Sequence, residues 1–282
     1  MEMNTRTATI GGAVLLLLAM AGGTAWYVSE DPALETAESA DDEAALPIPP
    51  APPRLAAGDR YERCFAQIPD DPEGAAAYAE SWATAGGGDG AAHCLALARV
   101  ALGDTADGAG MLDKLAASSH APAAARATVF AQAAQAWMVS GDFTHALASA
   151  TQALALSPDD ADLLIDRAGV DSALGRPKDA VDDLTRALAI DARRPDALAQ
   201  RAAALRAVDR IDLAQDDVDR ALSLDPDNPE ALLERGIIRQ RRNDRGGARR
   251  DWERAIALAP DTQTADLAQQ NISLLDAGPE RQ

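Results

Sequence analysis

The chain has 282 residues, 47% of them hydrophobic, and a formal net charge of -19. So acidic a molecule repels nucleic acid and anionic lipid at long range, which excludes a nucleic-acid partner unless a local patch overturns it. Only 4% of the residues are aromatic and much of the apolar content is alanine; a core of that kind demands helices that approach closely, and so an all-α fold.

Residues 1–29 carry no charge after Arg6, and Ile10 to Ala21 form an apolar core behind a short positive start, the pattern of an export signal. Cleavage after Ala21 or Ala25 satisfies the small-residue rule. The alternative is an uncleaved transmembrane anchor, with Trp26 and Tyr27 in the interfacial belt. An anchor places the rest on the periplasmic side of a bacterial inner membrane, and cleavage leaves it soluble in the periplasm. The bacterial source follows from 24 arginines among 26 basic residues and from the alanine content, both marks of GC-rich coding.

Residues 30–56 hold seven acidic side chains from Glu30 to Glu43 and then Pro47, Pro49, Pro50, Pro52 and Pro53. Such a segment buries too little apolar surface to fold, so it reads as a disordered spacer. A proline-motif ligand is the other reading of it.

Residues 57–126 give a fainter helical pattern: DRYERCFAQI, PEGAAAYAESWATAGG, and two helices around Gly103-Asp104. Gly86 to Gly90 lack the lysine and hydroxyl of a phosphate loop and follow a helix, so they form a turn. Cys64 and Cys94 are the two cysteines of the chain and are expected to pair as a disulfide in an exported protein. A metal site using His93 is disfavoured, because adjacent helical residues point about 100° apart and no further cysteine completes a set. His93, His120 and His145 fall in different elements without a nucleophile and an orienting partner. No catalytic residue, cofactor or metal is therefore expected, and the protein reads as non-enzymatic.

From residue 127 the sequence repeats in four units of equal length, 127–160, 161–194, 195–228 and 229–262. Ala146, Ala180, Ala214 and Ala248 recur at that period, as do Ala153, Ala187, Ala221 and Ala255. Breaks at Gly141-Asp142, Gly175-Arg176-Pro177, Asp209-Arg210 and Asn243-Asp244 divide each unit into two helices. Residues 263–282 supply a capping helix, Thr264 to Leu275, and a tail. The period and its small residues resemble the tetratricopeptide repeat (TPR), a unit of about 34 residues, which implies a right-handed α-solenoid of helix-turn-helix units. The aromatic preferred at unit position 11 survives only as Trp137; Asp171, Leu205 and Arg239 replace it, so looser packing is expected in the second and fourth units.

Arginine recurs at position 7 (Arg167, Arg201, Arg235), aspartate at position 23 (Asp183, Asp217, Asp251) and arginine at position 26 (Arg186, Arg220, Arg254). Positions 7 and 23 lie on opposite helices of a unit, so an Arg-Asp pair binds the two. The aspartate and the arginine three residues later form a local pair. The resemblance also implies a concave groove along the first helices. Its floor falls on Ala131, Ile165, Ala199 and Leu233 with Gly169, Ala203 and Ile237. Asp162, Asp196 and Glu230 make an acidic edge, and Arg206, Gln240 and Arg241 close the far end.

One basic stretch stands against the overall charge. Between Arg235 and Arg254 eight arginines face Asp244, Asp251 and Glu253. Arg241, Arg242, Arg245, Arg249 and Arg250 have no structural role in the repeat pattern, leaving contacts with acidic neighbours, an acidic partner or lipid headgroups as readings. The function expected is a scaffold or adaptor in the bacterial cell envelope that holds a protein or peptide in its groove. The resemblance extends to assembly of envelope or cytochrome c complexes. The alternative is a structural spacer or a self-associating homo-oligomer, and a membrane contact is expected only through an uncleaved N-terminal segment.

Overall fold

The structure, a computed structural model, describes residues 54–278. The expected signal or anchor, residues 30–53 of the spacer and the end of the tail lie outside them. The described residues form thirteen α-helices and no strand, and none of these helices is long and apolar enough to cross a membrane. In order they are α1 (Asp59–Gln67), α2 (Pro72–Thr84), α3 (Gly88–Ala101), α4 (Thr105–Ser118), α5 (Ala123–Ser140), α6 (Phe143–Leu156) and α7 (Ala161–Ala173). There follow α8 (Pro177–Ile190), α9 (Pro195–Ala207), α10 (Ile211–Leu224), α11 (Pro229–Arg241), α12 (Arg245–Leu258) and α13 (Gln263–Ala277). Successive helices pack against each other, and α5, α7, α9, α11 and α13 also touch in sequence. That second set of contacts makes the first helices of the repeats one continuous inner face.

Local chemistry explains where the helices start and stop. Gly141, Gly175, Asp209 and Asn243, at the same position of successive repeats, all turn the chain with a left-handed backbone, at φ 81, 70, 60 and 64. Glycine adopts this without strain, and aspartate and asparagine tolerate it best among the rest. Asp142 and Asp244 then cap the second helices by accepting the N–H of His145 and Gly247. Asp160 and Asn228 do the same for α7 and α11. Pro177, Pro195 and Pro229 occupy first helical positions, where the missing N–H costs nothing.

The core is set by small residues at the crossings. Ala146, Ala180, Ala214 and Ala248 are fully buried, as are Ala153, Ala187, Ala221 and Ala255. Between them position 24 varies: Ala150, Leu184, Val218 and then Trp252, all buried. The tryptophan fits because position 8 opposite it is Gly236, where an added Cβ would lie 2.2 Å from the indole nitrogen. That nitrogen donates to the Leu233 carbonyl at 3.2 Å. The expectation of loose packing in the fourth repeat is thereby corrected, since Trp252 fills its interior and Gly236 makes the space.

At the other end Cys64 and Cys94 form a disulfide with Cα atoms 6.2 Å apart, joining α1 to α3. His93 sits beside it, buried. Its Nε2–H donates to Gln132 Oε1 at 2.6 Å, which leaves Nδ1 to accept the Tyr61 hydroxyl at 2.8 Å. Burial lowers the pKa of His93, so the ring stays neutral, and burial pushes that of Tyr61 up to about 12. These groups knit α1, α3 and α5 together, with no nucleophile among them.

Each of the three aspartates at position 23 receives a two-pronged arginine from the helix opposite. Arg167 grips Asp183 through two bonds of 2.7 Å, and Arg201 grips Asp217 identically. Arg235 holds Asp251 at 3.0 and 2.8 Å. All three aspartates are buried. The expected local pair with position 26 is a different matter. Only Arg186 approaches its aspartate, at 3.8 Å. All three arginines reach instead to the loop that ends the preceding repeat: Arg186 to the Pro158 carbonyl, Arg220 to the Ala192 carbonyl and Arg254 to Asp227. The fork from position 7 already meets the aspartate from the opposite helix, and the position-26 arginine staples repeats to one another.

Two outcomes follow for thermal melts. Gly236→Ala destabilises by about 2 kcal/mol through overpacking against Trp252, whereas Gly246→Ala, whose Cβ would meet only the tip of Arg250 at 3.5 Å, stabilises by about 1 kcal/mol. Equal signs for the two would contradict the packing described. Arg201→Ala strands a buried Asp217 and costs roughly 3 kcal/mol, while replacing both partners by leucine or methionine costs much less. An unmoved melting temperature in Arg201→Ala would exclude the clamp.

Candidate functional site

The inner face of α5, α7, α9 and α11 is the groove expected from the repeat, but its floor is not built as expected. Ala131, Ile165, Ala199 and Leu233 are buried, with at most 9% of their surface exposed, and belong to the hydrophobic core. A helix stacked on its neighbour encloses position 5 between the two axes. Position 9, one turn on, projects past that contact, and there Gly169, Ala203 and Ile237 are half-buried. They carry the accessible apolar surface.

Around Gly169 the groove deepens into a cavity of about 270 Å³, walled by Gln135, Met138, Ile165, Asp166 and Gln200 among others. A Cβ added to Gly169 would meet nothing within 4 Å, so the glycine is what opens the cavity. Asp166 is its ionisable group. Burial raises its pKa first and Asp162 adds to the rise, while Gln135, whose Nε2 lies 3.5 Å away, opposes it. A cation placed in the cavity would relieve both effects.

The acidic edge and the far end are less free than their composition suggests. Arg194 donates to Asp162 at 2.6 Å and to Asp196 at 3.0 and 2.7 Å, neutralising two of the three edge carboxylates. Arg206 is locked to the buried Glu234 by bonds of 2.6 and 3.1 Å, so it fastens α9 to α11. Gln240 remains half-buried on the rim, and Arg241 lies 3.5 Å from Asp209.

The basic stretch turns its charges onto acidic neighbours. Arg242 reaches Asp212 at 3.2 Å and Gln215 at 3.3 Å on α10. Arg249 pairs with Asp276 and Arg245 donates to the Leu275 carbonyl, both on α13. Arg250 is exposed and makes no ion pair among the described residues. With Arg241 on Asp209, four of the five arginines are thus occupied by the adjoining repeat and the cap. Exposed pairs of this kind contribute about 0–1 kcal/mol each, so they orient more than they stabilise.

Sequence reasoning missed Gln135, Met138, Asp166 and Gln200 as cavity walls. For Asp166 and Gln200 the signal was present at position 6, which is polar in every repeat: Gln132, Asp166, Gln200 and Glu234.

The tetratricopeptide repeat family model matches residues 200–272. No curated protein matches the chain. Among solved structures, the APC/C hetero-tetramer Cut9-Hcn1 is similar with a TM-score of 0.56 at 16% identity, over 75% of this chain and 42% of that one. A MamA RS-1 ArsTM double mutant gives a TM-score of 0.51 at 15% identity, over 74% of this chain and 99% of that one. YrrB, described as a TPR protein with an unusual peptide-binding site, gives 0.47 at 19% identity, over 76% and 100% of the two chains. The first two likenesses show a shared all-α solenoid fold. The family match identifies tetratricopeptide repeats within residues 200–272, and the helix pairs that recur in units of equal length carry the same pattern back to residue 127.

Proposed function

We propose that this protein is a non-enzymatic scaffold that holds a protein or peptide segment in the groove along α5, α7, α9 and α11. The observation that carries this is the cavity at Gly169, where stacked helices leave an opening of about 270 Å³ on the inner face. Its walls combine apolar contact from Met138 and Ile165 with Gln135, Gln200 and an unneutralised Asp166. Such a site suits a segment with an apolar anchor next to a hydrogen-bonding or basic group. The proposed setting is the bacterial cell envelope, on the outer side of the inner membrane, in the assembly of envelope or cytochrome c complexes. Support for that setting comes from the apolar run Ile10 to Ala21 and the acidic, proline-rich spacer.

A second reading, self-association, is favoured by α13, where Leu267 and Leu274 share one helix face, 41% and 60% exposed. In that case the end of the array receives another copy.

Gly169→Trp tests the groove with little risk to the fold, because the new side chain enters open space and replaces a helical glycine. Proximity labelling in the native cell by the full chain and by this variant is expected to lose one partner set with melting unchanged. An identical partner set rejects the groove. A sedimentation profile that stays dimeric in the variant and becomes monomeric in Leu267→Asp/Leu274→Asp supports self-association instead.

A further inference from the structure

The outer seams of the repeats repeat one geometry four times, and the four occupants differ. Each seam lies between the second helix of one repeat and both helices of the next, with positions 11, 16, 19, 22 and 23 facing residues 21 and 25 of the preceding repeat. In the first repeat position 11 is Trp137. Its indole stacks on His145 with ring centroids 4.8 Å apart and donates to Asp113 of α4 at 2.7 Å. In the fourth repeat position 11 is Arg239, which bonds Asp251 at 2.7 Å as a third donor beside the two from Arg235. These two seams are filled by the chain's own indole and guanidinium.

The second and third seams are open. At the third, a cavity of about 400 Å³ is lined by Leu205, Leu213 and Val181, with Thr185, Arg210 and Asp216, around the Arg201-Asp217 clamp. At the second, a cavity of about 320 Å³ is lined at the equivalent positions by Asp171, Asp179, Asp182, Asp183, Arg167 and Arg176, with Leu147 and Thr151 opposite. Arg167 is committed to Asp183. Asp171 is only 4% exposed, yet no donor among the described residues hydrogen-bonds its carboxylate, and the nearest cation is Arg176 at 4.0 Å. Its pKa is raised by burial first and then by Asp179 and Asp183. Its oxygens open onto the cavity instead of lying sealed in the core, so a cation entering there meets a carboxylate that no donor occupies and that Asp179 and Asp183 repel.

We propose that this second seam is a docking socket for a protein partner, which inserts an arginine side chain against Asp171 and Asp179 where Arg239 lies in the fourth repeat. The chain itself shows the fit: two repeats further on, the same position-23 aspartate and the same clamp accept a guanidinium from position 11. The aspartate at position 11 reverses the charge of the intrinsic occupant and so prepares the site for an extrinsic one. The socket lies on the opposite side of the array from the Gly169 groove and does not depend on it.

The test is an NMR titration of the isotopically labelled full chain with N-acetyl-arginine amide, and in parallel with its neutral analogue N-acetyl-citrulline amide. Saturable shifts are expected at Thr151, Asp171 and Asp179 with the first compound only, with none at Leu205, where the equivalent socket has Leu205 and Leu213 in place of Asp171 and Asp179. Asp171→Leu, which copies the third repeat, is expected to weaken binding at least tenfold. Asp171→Arg, which copies the fourth, is expected to abolish it and raise the melting temperature by about 2–4 °C. Equal shifts with the citrulline compound, shifts spread over all exposed carboxylates, or binding unchanged in Asp171→Leu overturn the proposal. A lowered melting temperature in Asp171→Arg overturns the comparison with the fourth repeat.

Discussion

Two helices can lie close together only where their crossing holds nothing larger than a methyl group, and every other feature of this protein is arranged around that limit. The eight fully buried alanines from Ala146 to Ala255 mark the crossings. They explain the scarcity of aromatic residues and the fixed repeat length, because a shifted crossing would bring larger side chains into contact. Where one large group is admitted, the opposite helix gives way completely, as Gly236 does for Trp252.

Close approach also determines the electrostatics. Arginine from one helix and aspartate from the other meet beside the crossings, buried enough that each aspartate needs its full fork of donors. Arg239 adds a third donor to Asp251, and other cations turn outward and tie repeats together. Arg186, Arg220 and Arg254 do so along the array, and Arg242 and Arg249 do so near its end. An overall charge of -19 therefore coexists with a strongly basic stretch, since that stretch lies between the acidic third repeat and the carboxylates of α13.

The period, the turns and the arginine-aspartate clamps could be read from residue types, because each depends on a single position: a left-handed backbone at Gly141 or Asn243, a small side chain at Ala214, a charge at Asp217. What could not be read depends on how neighbouring repeats stack. Ile165 and Leu233 look like a groove floor on one helix and become core only when the next helix covers them. Arg206 looks like a rim cation until Glu234 is brought beneath it from the following repeat. Asp171 looked like a weakened packing residue, and its isolation shows only when its seam is set beside those of Trp137 and Arg239. The same stacking that hides these residues leaves the cavity at Gly169 on the inner face and the acid-lined socket on the outer one.

The crossing limit is tested most directly by melting a matched set of alanine variants in the full chain. Ala180→Leu, Ala214→Leu and Ala248→Leu should each cost about 1–3 kcal/mol, the usual penalty for overpacking, whereas Ala173→Leu, on the exposed end of α7, should leave the melt almost unchanged. Equal effects at crossing and exposed alanines would contradict the account.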